Sequence, residues 1–240
     1  MNYKLLIKIS WITAFAIAMG YLESAVVIYL RVIYYPEGFN FPLVPMESLL
    51  LVTEVFREVA TLVMLLAIGF IAGKDFTERF AYFIYNFAIW DIFYYVFLKI
   101  FLDWPESLLT WDILFLIPTT WTGPVIGPII LSLLMVWLAL IIIIAKGRGK
   151  KPALHKIEWS LLITGSVVVI LAFIWDYSRY VLARHSFVEL FKVSSAELQA
   201  IAYDYMPTDP FNWVAYIFGV LLIVSGILLY QRRIKLFPLR

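Results

Sequence analysis

The sequence predicts an all-α integral membrane protein, six transmembrane helices in one bundle, on three observations. Of its 240 residues, 63% are hydrophobic and only 15% charged, a balance outside the range of soluble domains. The apolar residues fall in runs long enough to cross a hydrocarbon core, which takes about 20 helical residues. The basic residues gather in every second connection, as in a chain threaded back and forth through a bilayer.

The spans run over about 9–34, 48–73, 80–101, 107–145, 157–183 and 212–231 of a single polytopic domain, 1–240. The first is too long for a signal-peptide core and lacks a small-residue cleavage pattern. The second contains TEVFREVATLVML, which sets Glu54, Arg57 and Glu58 inside the membrane. On the third, Asp91, Tyr95 and Lys99 follow at i, i+4 and i+8, one stripe on one helix face. The fourth is longer than one crossing requires and is interrupted by PTTWTGPVIGP, 118–128. Proline and glycine there predict a broken helix with freed carbonyls beside Thr119, Thr120, Trp121 and Thr122. The fifth carries Asp176 and Arg179. In the outer loop 184–211 that follows, Ser194 with Glu197 forms a capping-box pattern and predicts a short surface helix.

Orientation follows from charge. Lys4, Lys8, Lys74, Arg79, KGRGKKPALHK and QRRIKLFPLR place 13 of the 19 Lys and Arg on one side, against Arg184 and Lys192 on the other. Both termini are therefore expected in the cytoplasm, with the protein in the cell membrane. The opposite loops, YYPEGFNFPLVPMES and LDWPESLLTW, are acidic and aromatic, as interfacial segments are.

Depth is counted inward from the outer span ends at 1.5 Å per residue. Arg57 and Asp176 come out roughly 10 to 14 Å deep, Glu54 and Arg179 roughly 6 to 9 Å. If the second and fifth spans adjoin, Arg57 pairs with Asp176 and Glu54 with Arg179, as a gate or a structural brace. Glu23, Glu58 and Asp91 all fall about 15 Å deep, near the midplane. Intramembrane carboxylates are expensive and face the bundle interior or water. Sharing one depth beside a broken helix, these three predict a midplane site for ions, protons or a ligand. Arg31 and Asp112 lie nearer the outer boundary and, with Tyr95 and Lys99, extend the predicted pocket outward.

Several chemistries are excluded. There is no cysteine, so disulfides, thiolate metal sites and iron–sulfur clusters cannot form. His155 and His185 are the two histidines and both sit at span ends, so haem between helices is not expected. His155 belongs to the basic loop, and His185 is a surface residue with the alternative of an acid–base role. No P-loop or dinucleotide fingerprint points to a nucleotide cofactor, the carboxylate spacing demands no metal, and a net charge of +2 gives no reason to expect nucleic acid. Three functions stay open. The first is a carrier or proton/cation-coupled binding protein. The second is a membrane-embedded enzyme or respiratory-complex subunit acting on a quinol or lipid. The third is an anchor for an extracytoplasmic protein partner docked on the last outer loop.

Overall fold

A computed structural model describes residues 3–184, 203–207 and 210–234. Six helices, α1 Tyr3–Tyr34, α2 Ser48–Ala72, α3 Phe76–Leu102, α4 Ile126–Gly147, α5 Lys156–Leu182 and α6 Trp213–Ile234, are long and apolar enough to cross a membrane. Between α3 and α4 lies an antiparallel hairpin, β1 Trp111–Phe115 and β2 Trp121–Pro124. The expected surface helix at Ser194 and Glu197, and His185, lie outside the described residues.

The hairpin corrects the expectation of a broken fourth helix. The segment 107–145 is not one interrupted span: its first part pairs as strands, and the helix starts only at Ile126. The physical reason is in the residues. Trp-Asp-Ile-Leu-Phe is rich in aromatic and branched side chains that suit a strand, and Pro118 falls in the turn, where a missing N–H costs nothing. Asp112 sits opposite Gly123 and Ile113 opposite Thr122, with a bulge between Ile113 and Phe115. Backbone polar groups thus find partners without a helix, the condition for non-helical chain at membrane depth. The hairpin also starts α4: the Val125 and Ile126 N–H groups donate to the carbonyls of Thr110 at 3.0 Å and Leu108 at 2.8 Å. Pro128 then occupies the first turn of α4, where proline is tolerated.

Around α3 the packing is dense. It takes α1, α2 and α4 as neighbours, while α5 and α6 form a second closely packed pair. Small residues permit the close approaches. A Cβ on Gly20 of α1 would stand 2.9 Å from the Trp90 carbonyl oxygen of α3, and one on Gly165 of α5 would stand 2.7 Å from the Gly219 oxygen of α6. Glycine lets these backbones meet, as small residues do throughout membrane interfaces. Aromatic side chains fill the space between the helix pair and the hairpin, where Trp121 stacks on Phe173 at 6.2 Å and Phe211 meets Trp111 edge-on at 5.8 Å.

The two ends of the bundle differ. At the basic end, Lys146 of α4 pairs with Asp75, the residue that caps α3 by accepting the Glu78 N–H at 3.0 Å. Arg233 of α6 grips Glu158 of α5 with two hydrogen bonds of 2.7 Å, and Glu158 also accepts the His155 N–H. Lys8 of α1 donates to the Ala72 carbonyl at the end of α2 and lies over the Tyr82 ring. At the hairpin end, the connection from α1 to α2 folds over the bundle and is pinned by Tyr203, whose hydroxyl bonds both the N–H and the carbonyl of Met46.

Candidate functional site

Beneath that connection is a cavity of about 210 Å³ walled by α1, α2, α3 and β1. Helix periodicity selects the wall residues: Glu23, Val27, Leu30, Arg31 and Tyr34 are one face of α1, and Leu51, Glu54, Arg57 and Glu58 one face of α2. From α3 come Trp90, Asp91, Tyr94 and Tyr95, and from the hairpin Asp112 to Leu116 with Thr120. Most of the wall is apolar or aromatic. Set into it are five carboxylates, Glu23, Glu54, Glu58, Asp91 and Asp112, against two arginines, Arg31 and Arg57.

Each charged group has its own partners. Arg57 pairs with Glu23 across the α1–α2 gap and with Glu54 on its own helix at 2.7 Å, and Thr61 adds a hydrogen bond to Glu23 at 3.1 Å. Arg31 bonds Asp112 at 3.2 Å, and the Tyr95 hydroxyl donates to the other Asp112 oxygen at 3.3 Å. The Arg31 guanidinium lies over the Trp104 ring at 3.7 Å and the Phe39 ring at 4.5 Å, the two rings meeting edge to face, contacts that favour a desolvated cation. Glu58 accepts the Leu116 N–H at 3.0 Å, and Asp91 accepts the Ser132 hydroxyl at 2.8 Å. For these last two carboxylates the hydrogen-bond donor is a neutral group.

The expected cross-helix pairs do not form. Arg57 bonds Glu23 and Glu54 rather than Asp176, because α2 packs on α3 while α5 packs on α6. Asp176 instead accepts the Tyr205 hydroxyl at 2.5 Å. Burial first, and this contact with Asp176 second, push the Tyr205 phenol above its ordinary range. Asp176 and Arg179 border a separate cavity of about 380 Å³ beside Trp175 and Trp213. Glu54 and Arg179 likewise belong to different cavities.

Of the other expected pocket residues, Thr120, Tyr95, Arg31 and Asp112 line the carboxylate cavity, and Thr119, Trp121, Thr122 and Lys99 do not. Thr122 is buried and bonded to the Tyr205 hydroxyl at 3.0 Å. Trp121 turns to an apolar space between α3, α4, α5 and α6. Lys99 closes the C-terminus of α3, donating to the carbonyls of Asp103 and Pro105, both at 3.1 Å. The freed carbonyls expected of a broken helix are replaced by a hairpin that offers Glu58 an N–H donor. Ser132 is the residue that sequence reasoning passed over, although it is a lone hydroxyl in the apolar run of α4.

Glu23, Glu58 and Asp91 thus border one cavity without converging on one point. Among the described residues no group of three or more His, Cys, Asp or Glu could hold a metal ion. The fold and the composition together define a class, a multi-pass membrane protein with, among the described residues, six helices long and apolar enough to span a bilayer. No family model, no curated protein and no solved structure matches the chain.

Proposed function

We propose that the protein is a carrier or proton-coupled binding protein for small organic amines, with the cavity opening to the extracytoplasmic side and both termini in the cytoplasm. One observation supports this above the others: in a cavity with three more carboxylates than arginines, Glu58 and Asp91 are bonded by neutral donors alone. A buried carboxylate needs a proton or a cation for company. Scattered ligands and aromatic walls, with Tyr34, Tyr94 and Tyr95 among them, suit a protonated amine on an apolar body better than a bare metal ion, which demands several oxygens at one point. In the empty cavity Glu58 and Asp91 each hold a proton, and an amine that binds to either carboxylate displaces the proton there.

A quinol- or lipid-handling role is the second reading. It is favoured by the thin contact between α1 and α2, each of which packs on α3, since a gap there gives a bilayer molecule a route to the cavity.

The test is calorimetric titration of the purified protein with phenethylamine, together with a pH indicator in weak buffer. Saturable binding with proton release is expected, weakened about tenfold or more by Glu58→Gln and by Asp91→Asn, the scale of a lost charge-assisted hydrogen bond. Binding that ignores both substitutions would sink the proposal.

A further inference from the structure

The connection 36–47 between α1 and α2 roofs the cavity. Its outer side, with Pro36, Asn40, Pro42 and Pro45, is exposed, while Phe39, Leu43 and Met46 line the space beneath. The three prolines have no N–H to donate, and among the described residues the backbone from 39 to 46 makes no hydrogen bond to other backbone. Its hydrogen bonds run to two tyrosine hydroxyls instead. The Val44 N–H donates to Tyr35 at 2.9 Å, the Met46 N–H donates to Tyr203 at 2.9 Å, and the Tyr203 hydroxyl donates back to the Met46 carbonyl at 2.8 Å.

Two rings of the strap complete the hold. Phe39 meets Trp104 edge-on at 5.9 Å, and Phe41 meets Tyr205 edge-on at 5.9 Å. Tyr203 and Tyr205 therefore grip one strap at two points, Met46 and Phe41, and Tyr205 is itself fixed by its bonds to Asp176 and Thr122. A segment held by side chains, with no backbone pairing, opens at lower cost than the helices beneath it. Its ends suit a hinge. Gly38 takes a φ of +104°, a conformation that favours glycine, and Glu47 is extended immediately before α2.

We propose that residues 39–46 are a lid, latched by the Tyr203 hydroxyl on Met46, which lifts about Gly38 and Glu47 to admit a ligand to the cavity. This rests on the reading of the cavity as a binding site and adds how that site is closed. The hydroxyl bonds and ring contacts that hold the strap are each weak enough to release singly. Pro42 and Pro45 stiffen the chain on either side of Val44, so release at Met46 carries Val44 with it. Entry from the bilayer between α1 and α2 would need no movement of the strap, and the latch would then have no influence on access.

The chain has no cysteine, so Val27→Cys, on the cavity wall of α1, supplies a single thiol beneath the strap. Leu30→Cys on the same wall serves if the first variant does not fold. The rate at which a charged, water-soluble methanethiosulfonate modifies that thiol is measured with Tyr203 in place and with Tyr203→Phe, which keeps the ring and removes the latch hydroxyl. Amide hydrogen exchange over 39–47 is followed on the same two proteins. Tyr203→Phe is expected to speed modification about tenfold or more, the scale of two lost hydrogen bonds, with the Val44 and Met46 amides exchanging faster together. A thiol that reacts at the same rate with and without the hydroxyl overturns the lid, as does faster exchange confined to Met46. Neither readout uses a ligand. If phenethylamine fails to bind while the latch governs the thiol, the amine reading falls and the lid stands; if phenethylamine binds and the thiol ignores Tyr203→Phe, the lid falls alone.

Discussion

Arg57 of α2 pairs with Glu23 of α1 across two helices that otherwise lean on α3 rather than on each other. The arginine also holds Glu54 at 2.7 Å, so one cation serves two carboxylates, and its side chain is one-fifth exposed. Removing one member of such a pair strands the charge it neutralised.

Arg57→Gln is therefore expected to cost about 3 kcal/mol in mixed-micelle unfolding, the lower part of the range for breaking a buried pair. The double variant Arg57→Gln with Glu23→Gln should recover more than half of that loss, because one of the two stranded charges goes with it. Equal loss in single and double variants would mean that the helices are held together by other contacts.

The same pair shows how far the sequence could be read. Hydropathy located five of the six spans to within a few residues, because a bilayer imposes a length of apolar chain that residues report directly. Depth counting brought Glu23, Glu58 and Asp91 to one level, and all three line one cavity. Counting depth does not say which helix stands beside which. Arg57 was matched to Asp176 at equal depth, yet α2 and α5 take different neighbours. Pro118, Gly123 and Pro124 were legible as an interruption of helix, but the same residues permit a kink or a hairpin. The choice depended on whether Trp111–Phe115 had a strand to pair with. The hold of the Tyr203 hydroxyl on Met46 is a matter of packing, which no spacing in the sequence encodes.

At the basic end, Asp75 gives a pH dependence with a definite sign. The Lys146 ammonium, then the Glu78 N–H, hold its carboxyl below the ordinary aspartate value of 3.8. Its folded form favours the ionised state, so its contribution is complete above that ordinary value and is lost as pH falls from there through the lower folded one. With 46% of the side chain exposed, the effect is small and screened by salt. Asp75→Asn is expected to flatten the acid side of the stability profile at low ionic strength and to change nothing at high salt.

Between α5 and α6 the expected effect is steric. A Cβ on Gly219 would stand 2.8 Å from the Gly165 carbonyl oxygen and 2.7 Å from the Val169 side chain. A backbone oxygen cannot swing aside as a side-chain tip can. Gly219→Ala should therefore force the helices apart and cost about 1 to 3 kcal/mol, read as a lower unfolding midpoint. An unchanged midpoint would mean that the pair can slide without penalty.

Ser132 separates stability from binding at the cavity. It is fully buried in α4 and donates its hydroxyl to Asp91 at 2.8 Å. Ser132→Ala takes that donor away and should lower stability by about 1 to 2 kcal/mol, the cost of an unmade buried hydrogen bond. An arriving amine would take the vacated Asp91 oxygen, so the affinity for phenethylamine should hold or rise while the unfolding midpoint falls. Both are measured on one variant. A loss of affinity as large as that of Asp91→Asn would mean instead that Ser132 fixes the Asp91 carboxylate in the only orientation able to receive the amine, and the hydroxyl would then act as a positioning group.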